Sequence, residues 1–468
     1  MPKLIHLNGF TQCSICHHSK GQWKNPVDGS SAGYRDLKHW IGIAQTLERG
    51  CFDALFFADV HGTYDVYQNS RDAAVRHAVQ FPGNDPTLLI SALAQATQHL
   101  GFACTYSTTY FQPYITAKTF STLDHLSNGR IAWNVVTSYL RDACENLGLG
   151  EMPPHDDRYD QADEYMEVVY KLWEHSWEED AIVRDLENDI HTDPRKVHTI
   201  DHVGPNYQVP GPHMCEPSPQ RTPVLFQAGQ SPRGSDFAAK HAEAQFIIYP
   251  TVETCRAAVD AFRDKVRAAG RDPDHVKIFA GLSFVVADTD EAATQKMNQF
   301  RQYASPDGAL ALFSGWTGID LSVYAPNQHI ANVKSEAIQH AASYFTTVDP
   351  DRDWTVGEIS EFLSVASILP KIIGGPETVA DEIERWVDEA GIDGINVVPV
   401  TQPTGFTEFV DLVVPELQRR GRARTAYAGE TLREHLFGQG QKRLLPDHVA
   451  HQTLPPWKRK SSTNKAAE

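Results

Sequence analysis

Long hydrophobic runs are absent from the sequence. No apolar stretch among its 468 residues approaches the ~18 residues that a membrane-spanning helix needs. The N-terminal residues MPKLIHLNGF also lack the apolar segment of a signal peptide. We therefore expect a cytoplasmic protein without a membrane partner.

Positive charge is scarce as well. The sequence has 42 Lys and Arg against 60 Asp and Glu, which gives a formal net charge of −18. Nucleic acids bind to basic protein faces because their backbones are negatively charged. This charge balance therefore argues against nucleic acid as a partner.

Cysteines are few and do not form a disulfide framework. The seven residues, at 13, 16, 51, 104, 144, 215 and 255, are odd in number and scattered, as in proteins with reduced thiols. Cys13-x-x-Cys16-His17 matches the haem attachment motif, but that use requires export, and a zinc site would require further ligands. The 21 histidines show no ligand spacing either, so no metal is expected.

Eight short apolar segments alternate with amphipathic helical segments along the chain. This alternation predicts a (β/α)8 TIM barrel with its active site at the carboxyl ends of the strands. One domain is expected over residues 1–436, followed by a mobile tail over 437–468. Long loop insertions on the C-terminal face are expected at about 60–86, 176–220 and 288–375. The predicted strands are 4–8, 53–58, 102–107, 131–136, 223–227, 244–249, 277–286 and 395–399.

Polar residues follow two of these strands in patterns that suggest a ligand site. After 131–136 come Thr137, Ser138 and Tyr139, and after 223–227 comes Ala228-Gly229-Gln230-Ser231. Ser231 stands where a helix N-cap belongs and is followed by proline, the favoured first helical residue. A free helix N-terminus next to a glycine and Arg233 suits a phosphate group. Ordinary helix capping is the alternative explanation.

Three longer motifs carry a resemblance to a known family. They are GRIAWNVVTSYL, HDDRYDQADEYMEVVYKLWEHSWEEDA and EPSPQRTPVLFQAGQSPRGSDFAAKHAE. They resemble the flavin-dependent monooxygenases related to bacterial luciferase, in the branch of the nitrilotriacetate, dibenzothiophene-sulfone, long-chain-alkane and dimethyl-sulfide monooxygenases. The likeness extends from Leu4 to about Leu436, and it implies a luciferase-like TIM barrel.

The resemblance also implies a reaction and its partners. Reduced FMN would react with dioxygen at its C4a position to form a hydroperoxide, which oxygenates a small organic substrate such as a sulfide or an alkane. The sequence has no Gly-x-Gly-x-x-Gly fingerprint after a strand, so a separate NAD(P)H:flavin reductase would supply the reduced FMN. A homodimer or homotetramer is expected. The alternatives are a deazaflavin-dependent hydride transferase on the same barrel and a non-catalytic flavin-binding protein.

Site residues follow from the same resemblance. His17, Tyr64 and Tyr139 would be catalytic, under a lid formed by the loops at 60–86 and 300–370. His17 could instead only pin its loop, Asp59 could be a cap, and His155 could be a surface histidine. The implied FMN-binding residues are Asp59, Thr105, Ser138, His155, Tyr159, Ala228, Gly229, Gln230 and Ser231.

Three positions depart from the relatives at the substrate end. Ser14 stands where the alkane and dimethyl-sulfide enzymes have a cysteine, and Tyr139 and Leu312 replace two histidines of the alkane enzyme. The segments ALFSGWTGIDL and GGPETVADEIERWVDEAGIDG are more similar to the dimethyl-sulfide enzyme. The resemblance therefore implies an intact FMN site with an altered substrate end.

Overall fold

Eight parallel strands close into a barrel, which confirms the predicted fold. The computed structural model describes residues 3–15, 17–329 and 344–452. Each strand pairs with the next, and the last pairs with the first to close the ladder. The barrel strands are β1 His6–Gln12, β2 Ala54–Ala58, β3 Gly101–Ser107, β4 Ile131–Val136, β5 Val224–Gln227, β6 Ala244–Ile247, β7 Lys277–Val286 and β8 Gly394–Pro399.

Helices follow the strands and cover the outside of the barrel. Their amphipathic sequences bury one face, as in the helix Leu37–Arg49, where Trp40, Ile43 and Leu47 point to the core and Asp36 caps the first turn. After β8 the chain forms three consecutive helical segments, Thr404–Glu408, Phe409–Val413 and Val414–Arg419. The other barrel helices are α1 Leu37–Arg49, α2 Ile90–Ala96, α3 Pro113–Leu126, α4 His155–Tyr170, α5 Pro232–His241, α6 Val252–Ala268 and α7 Pro376–Ala390.

Five phenylalanine rings fill the inside of the barrel. Neighbouring ring centroids lie 4.9 to 6.2 Å apart, within the range of favourable aromatic contacts. All five rings are buried, so the barrel is a packed core and not a channel. They belong to Phe10, Phe56, Phe226, Phe246 and Phe279.

The loop insertions have structure of their own. Residues 60–86, 306–324 and 344–363, which we call the lid, share a separate hydrophobic cluster that includes Tyr64, Phe313 and Trp354. Residues 176–220 form two small hairpins, and Lys371–Gly374 adds an unpredicted edge strand beside β7. The part of the third insertion at 330–343 lies outside the described residues. The helices of the insertions are Asp72–Arg76, Asp290–Tyr303, Pro306–Thr317 and Val356–Ser364.

The chain after the barrel returns to close its N-terminal end. The short helix Leu432–Phe437 places Leu432 and Leu436 in the interior cluster. Its Arg433 forms a two-pronged ion pair with Glu243, with N–O distances of 2.7 and 2.9 Å, and both side chains are buried. The chain remains packed as far as 452, because Leu444 and Ala450 are buried there. Residues 453–468 of the predicted tail lie outside the described residues.

Within residues 3–15, 17–329 and 344–452, none of the helices combines the length and the apolar character that crossing a bilayer requires.

The buried pair at the base of the barrel gives a stability prediction. Arg433→Ala should lower the free energy of unfolding by about 3–5 kcal/mol, because Glu243 would stay buried without its partner. Chemical denaturation followed by circular dichroism measures this loss. Lys442→Ala, which breaks the exposed pair with Glu430, is the control and should cost only about 0.2–1 kcal/mol. Equal effects of the two changes would contradict a structural role for the buried pair.

Candidate functional site

A cleft of about 310 Å³ lies where β2 to β5 end. It collects side chains from four strand ends and from the first turns of α4, as expected for the carboxyl face of a barrel. Eight of the predicted site residues line it: Asp59, Thr105, Ser138, Tyr139, His155, Tyr159, Ala228 and Gly229. A larger cavity of about 710 Å³ lies beside Arg301 and Lys371, and none of the predicted site residues lines it.

Two helix N-termini meet at one end of the cleft. Ser231 caps α5, and its Oγ accepts a hydrogen bond from the Gly234 amide at 3.0 Å, as the sequence predicts. The Nε2 atom of His155, the first residue of α4, lies 3.2 Å from Ser231 Oγ. Helix N-termini present free N–H groups and a partial positive charge. This end of the cleft can therefore hold an anion.

Gly229 lies in a turn that has no room for a side chain. A Cβ atom at this position would lie 2.5 Å from Gln227 Nε2 and from the Tyr159 hydroxyl. The Gly229 amide donates a hydrogen bond to Gln227 Oε1 at 2.7 Å, which fixes the turn. Glycine is therefore required for the close packing of this turn against Gln227 and Tyr159. Gln230 faces away, since its Oε1 accepts a hydrogen bond from the Ile248 amide at 3.2 Å.

Arg158 lines the cleft although the sequence did not single it out, and Arg233 takes a different role from the predicted one. Arg233 donates hydrogen bonds to Asp160 and Asp163 at 2.8 and 2.6 Å, so its charge is neutralised within the protein. Arg158 instead lines the cleft, and its Nε is buried without a hydrogen-bond partner. It lies three residues after His155, a spacing that puts both on one helix face. That spacing was the available signal.

The centre of the cleft is built from hydroxyls that already have partners. Thr105 Oγ1 donates to the Phe57 carbonyl at 2.9 Å and accepts from Asn134 Nδ2 at 2.9 Å. Ser138, which has a left-handed φ of 55°, donates from its Oγ to Ser107 Oγ at 2.9 Å. These bonds hold the strand ends in register. The wall that a flat ligand would meet here is therefore rigid.

Asp59 lies in the wall of the cleft, and its pKa is strongly raised. Burial, together with the negative charge of Asp85, raises the pKa of Asp59 to about 8. Its carboxylate accepts a hydrogen bond from the Val60 amide at 2.9 Å, and His61 Nδ1 lies 3.4 Å away. A carboxyl group with this pKa is mostly protonated at pH 7. It can then donate a hydrogen bond to a ligand.

The predicted catalytic tyrosines meet at the other end of the cleft. The hydroxyls of Tyr64 and Tyr139 lie 2.8 Å apart, and Tyr64 also donates to Gln80 Oε1 at 2.8 Å. Trp316 Nε1 donates to the Tyr64 oxygen at 3.3 Å. Tyr64 is only 2 % exposed, whereas Tyr139 is 45 % exposed and lines the cleft.

His17 lies behind this group and does not line the cleft. Its ring, 6 % exposed, packs between Phe10 at 5.1 Å and His18 at 4.1 Å, measured between ring centroids. Burial lowers the pKa of His17 well below its usual value, so the ring is neutral. Its Nδ1 has no hydrogen-bond partner.

The positions at which the resemblance predicts departures from the relatives differ in their surroundings. Ser14 is buried, and its Oγ donates to Gln12 Oε1 at 3.3 Å. Leu312 is buried in the hydrophobic cluster of the lid. Cys16 lies outside the described residues. In the part of the chain that the structure describes, His, Cys, Asp and Glu form no group of three or more suited to a metal ion.

Comparisons with known proteins agree with this geometry. Residues 18–394 match the family model described as luciferase-like monooxygenase. The chain is 50 % identical to the long-chain alkane monooxygenase of Geobacillus thermodenitrificans over 96 % of this chain and 98 % of that protein. It is 47 % identical to the dimethyl-sulfide monooxygenase of Hyphomicrobium sulfonivorans over 97 % of this chain and 94 % of that protein.

Solved structures are similar over nearly the whole chain. The crystal structure of a long-chain alkane monooxygenase gives a TM-score of 0.89 at 50 % identity, covering 97 % of this chain and 100 % of that one. DmoA from Hyphomicrobium sulfonivorans gives 0.91 at 47 % identity, covering 96 % of both chains. The structure of a riboflavin lyase, solved with modified FMN and riboflavin, gives a TM-score of 0.87 at 36 % identity. It covers 96 % of this chain and 99 % of that one.

The raised pKa of Asp59 gives a prediction about pH. The folded protein binds this proton more tightly than the unfolded chain, so the resulting stabilisation is lost as pH rises from about 3.8 to about 8. Asp59→Asn removes this dependence. Between pH 5 and pH 8 the variant should gain roughly 2 to 4 kcal/mol in free energy of unfolding relative to the parent.

Urea denaturation of the cofactor-free protein at several pH values measures this difference. Asp260→Asn, at an exposed site on α6, is the control and should show no such trend. A stability difference between parent and Asp59→Asn that does not vary with pH would contradict the assignment.

Proposed function

Because the chain belongs to the luciferase-like monooxygenase family, we propose that it is the oxygenase of a two-component system. It uses reduced FMN and dioxygen to transfer one oxygen atom to a small organic substrate. The observation that carries the proposal is the cleft itself, with His155, which contacts Ser231, and Arg158 at one end and Tyr139, which contacts Tyr64, at the other. The sulfide and alkane classes named in the sequence analysis remain the proposed substrates.

The residues of the cleft fit FMN. Ser231, His155 and Arg158 would hold the phosphate, since the unpartnered Nε of Arg158 supplies a buried donor and a positive charge. Gly229 would keep the turn before α5 tightly packed beside the phosphate. Ala228, Tyr159, Thr105, Ser138 and the backbone of Gln230 complete the proposed FMN-binding set. Asp59, when protonated, would donate a hydrogen bond to the flavin ring.

Reduced FMN, when bound, supplies the activation of dioxygen, which no side chain provides. The chain's own contribution is to orient the flavin and to exclude water. The phenylalanine core closes the barrel below the cleft, and the lid covers the side at Tyr64. Closed, apolar surroundings protect reactive oxygen species from water. Tyr139, which lines the cleft, is the proposed polar contact at the oxygen-transfer end, with Tyr64 and neutral His17 behind it.

The substrate that fits best is uncharged. Among the described residues that line the cleft, Arg158 is the single Lys or Arg, and it belongs to the phosphate end. The end at Tyr139 is lined by Val60, Tyr110 and Leu140. Anionic substrates such as aminocarboxylates would require cationic partners there. A neutral sulfide or alkane would not, in keeping with the names of the two relatives at 50 % and 47 % identity.

A separate NAD(P)H:flavin reductase is the proposed source of reduced FMN, because the sequence has no nicotinamide fingerprint. Cytoplasmic location and a homodimer or homotetramer stay predictions. The deazaflavin and non-catalytic alternatives find no support in these two relatives, both of which are named monooxygenases.

The phosphate end of the site is tested by Ser231→Asp. Aspartate caps a helix as serine does, so α5 should stay folded, but its carboxylate would repel the phosphate. We expect FMN affinity to fall by at least roughly a hundredfold, as measured by flavin fluorescence titration. Ser231→Asn, a neutral cap, is the matched control and should stay within about tenfold of the parent. Equal FMN binding by the Asp and Asn variants would put the phosphate elsewhere.

The reaction is tested by feeding the purified chain with reduced FMN. We expect no NADH oxidation by the chain alone and product formation from a sulfide or an alkane once a flavin reductase is added. The panel should include dialkyl sulfides, sulfones, n-alkanes and an aminocarboxylate, with products identified by mass spectrometry after ¹⁸O₂ labelling. Sustained NADH oxidation without the reductase would contradict the two-component proposal. Product from the aminocarboxylate alone would contradict the uncharged substrate.

A further inference from the structure

The hydroxyls of buried Tyr64 and half-exposed Tyr139 share a fixed pattern of hydrogen bonds at one end of the cleft. Gln80 Oε1 can only accept, so the single proton of Tyr64 goes to it, at 2.8 Å. The proton in the 2.8 Å contact between the phenols must then come from Tyr139. The Tyr64 oxygen accepts it and also accepts the N–H of Trp316 at 3.3 Å.

Because of this pattern, the two phenols differ in the cost of turning their hydroxyl protons toward the cleft. If Tyr64 turned its proton toward the cleft, Gln80 Oε1 would lose its donor in a buried place, which is costly. If Tyr139 turned its proton toward the cleft, the Tyr64 oxygen would keep the hydrogen bond from Trp316. Tyr139 is also the one of the two that lines the cleft. Its proton is therefore the one that can be offered to a ligand without leaving a buried group unpaired.

The position of Tyr64 depends on one glycine of the lid. Gly315 lies in the helix Pro306–Thr317, next to Trp316, and a Cβ atom there would overlap Cδ1 of the Tyr64 ring. The ring thus lies directly against the helix backbone. Any side chain at 315 would push it away from Gln80 and Tyr139.

We propose that Tyr139 is the phenol that donates a hydrogen bond into the cleft during oxygen transfer, and that Tyr64 is a positioning residue for it. Gly315 and Trp316 position Tyr64 in turn, so the lid helix sets the geometry of the reacting end. This inference rests on the proposed monooxygenase function and assigns separate roles to the two tyrosines.

The test compares Tyr139→Phe, Tyr64→Phe and Gly315→Ala in product formation with reduced FMN supplied by a reductase. Loss of a donor that contacts the reacting oxygen should lower kcat for Tyr139→Phe on the order of a hundredfold, with FMN affinity near the parental value. Tyr64→Phe and Gly315→Ala should each lower kcat on the order of tenfold, with little change in KM. Gly42→Ala, a helical glycine with nothing within 4 Å of the added Cβ, is the matched control and should be unaffected.

Double variants separate positioning from a direct role. If Tyr64 and Gly315 act through Tyr139, neither change should lower kcat further in a Tyr139→Phe background. Independent effects that multiply in the double variants would overturn the proposal, as would an undiminished kcat in Tyr139→Phe. Should Gly315→Ala fail to fold, Tyr64→Phe keeps the aromatic ring and still decides whether Tyr64 acts through Tyr139.

A crystal structure of Gly315→Ala provides a readout that needs no turnover. The Tyr64 ring should move and its contact with Tyr139 should lengthen, whereas an unmoved Tyr64 would overturn the positioning role. If the parent protein formed no product with any substrate of the panel, the proposed function would fail, and the crystal structure would still decide whether Gly315 positions Tyr64.

Discussion

The packing of five phenylalanine rings inside the closed barrel is the constraint on which the rest of the structure depends. Because Phe10, Phe56 and their neighbours fill the interior, a ligand cannot bind along the barrel axis. The helix Leu432–Phe437 and the buried pair Arg433–Glu243 cover the N-terminal end. The carboxyl ends of the strands remain, and the cleft forms there from loops whose positions the rigid barrel fixes.

Local positive charge at the cleft contrasts with the acidic chain as a whole. The formal charge is −18, yet the N-termini of α4 and α5 meet at one point, with His155 and Arg158 beside them. Backbone dipoles and one buried guanidinium can therefore hold a phosphate. Arg233 is kept out of this role by Asp160 and Asp163. Net charge thus says little about a site of this kind.

The lid carries its own hydrophobic cluster and joins the barrel mouth through polar contacts. Tyr64, Gln80 and Trp316 all belong to the lid, and they meet Tyr139 from the loop after β4. The motif resemblance predicts departures from the relatives at Ser14, Leu312 and Tyr139. Ser14 and Leu312 are buried, whereas Tyr139 reaches the cleft. A change at Tyr139 therefore has the most direct route to substrate preference.

The sequence by itself determined the eight barrel strands, the alternating helices and the start of α5 at Ser231, because these features depend on local periodicity and capping. It also indicated, through its motifs, which strand ends carry the polar residues of the cleft. Tertiary structure decided which of these side chains line the cleft and are free to contact a ligand. The pairing of Arg233, the orientation of Arg158, the withdrawal of His17 behind the cleft and the edge strand Lys371–Gly374 depend on contacts between distant segments. Tyr64 and Tyr139 are 75 residues apart in the chain, and no local pattern encodes a hydrogen bond across that distance.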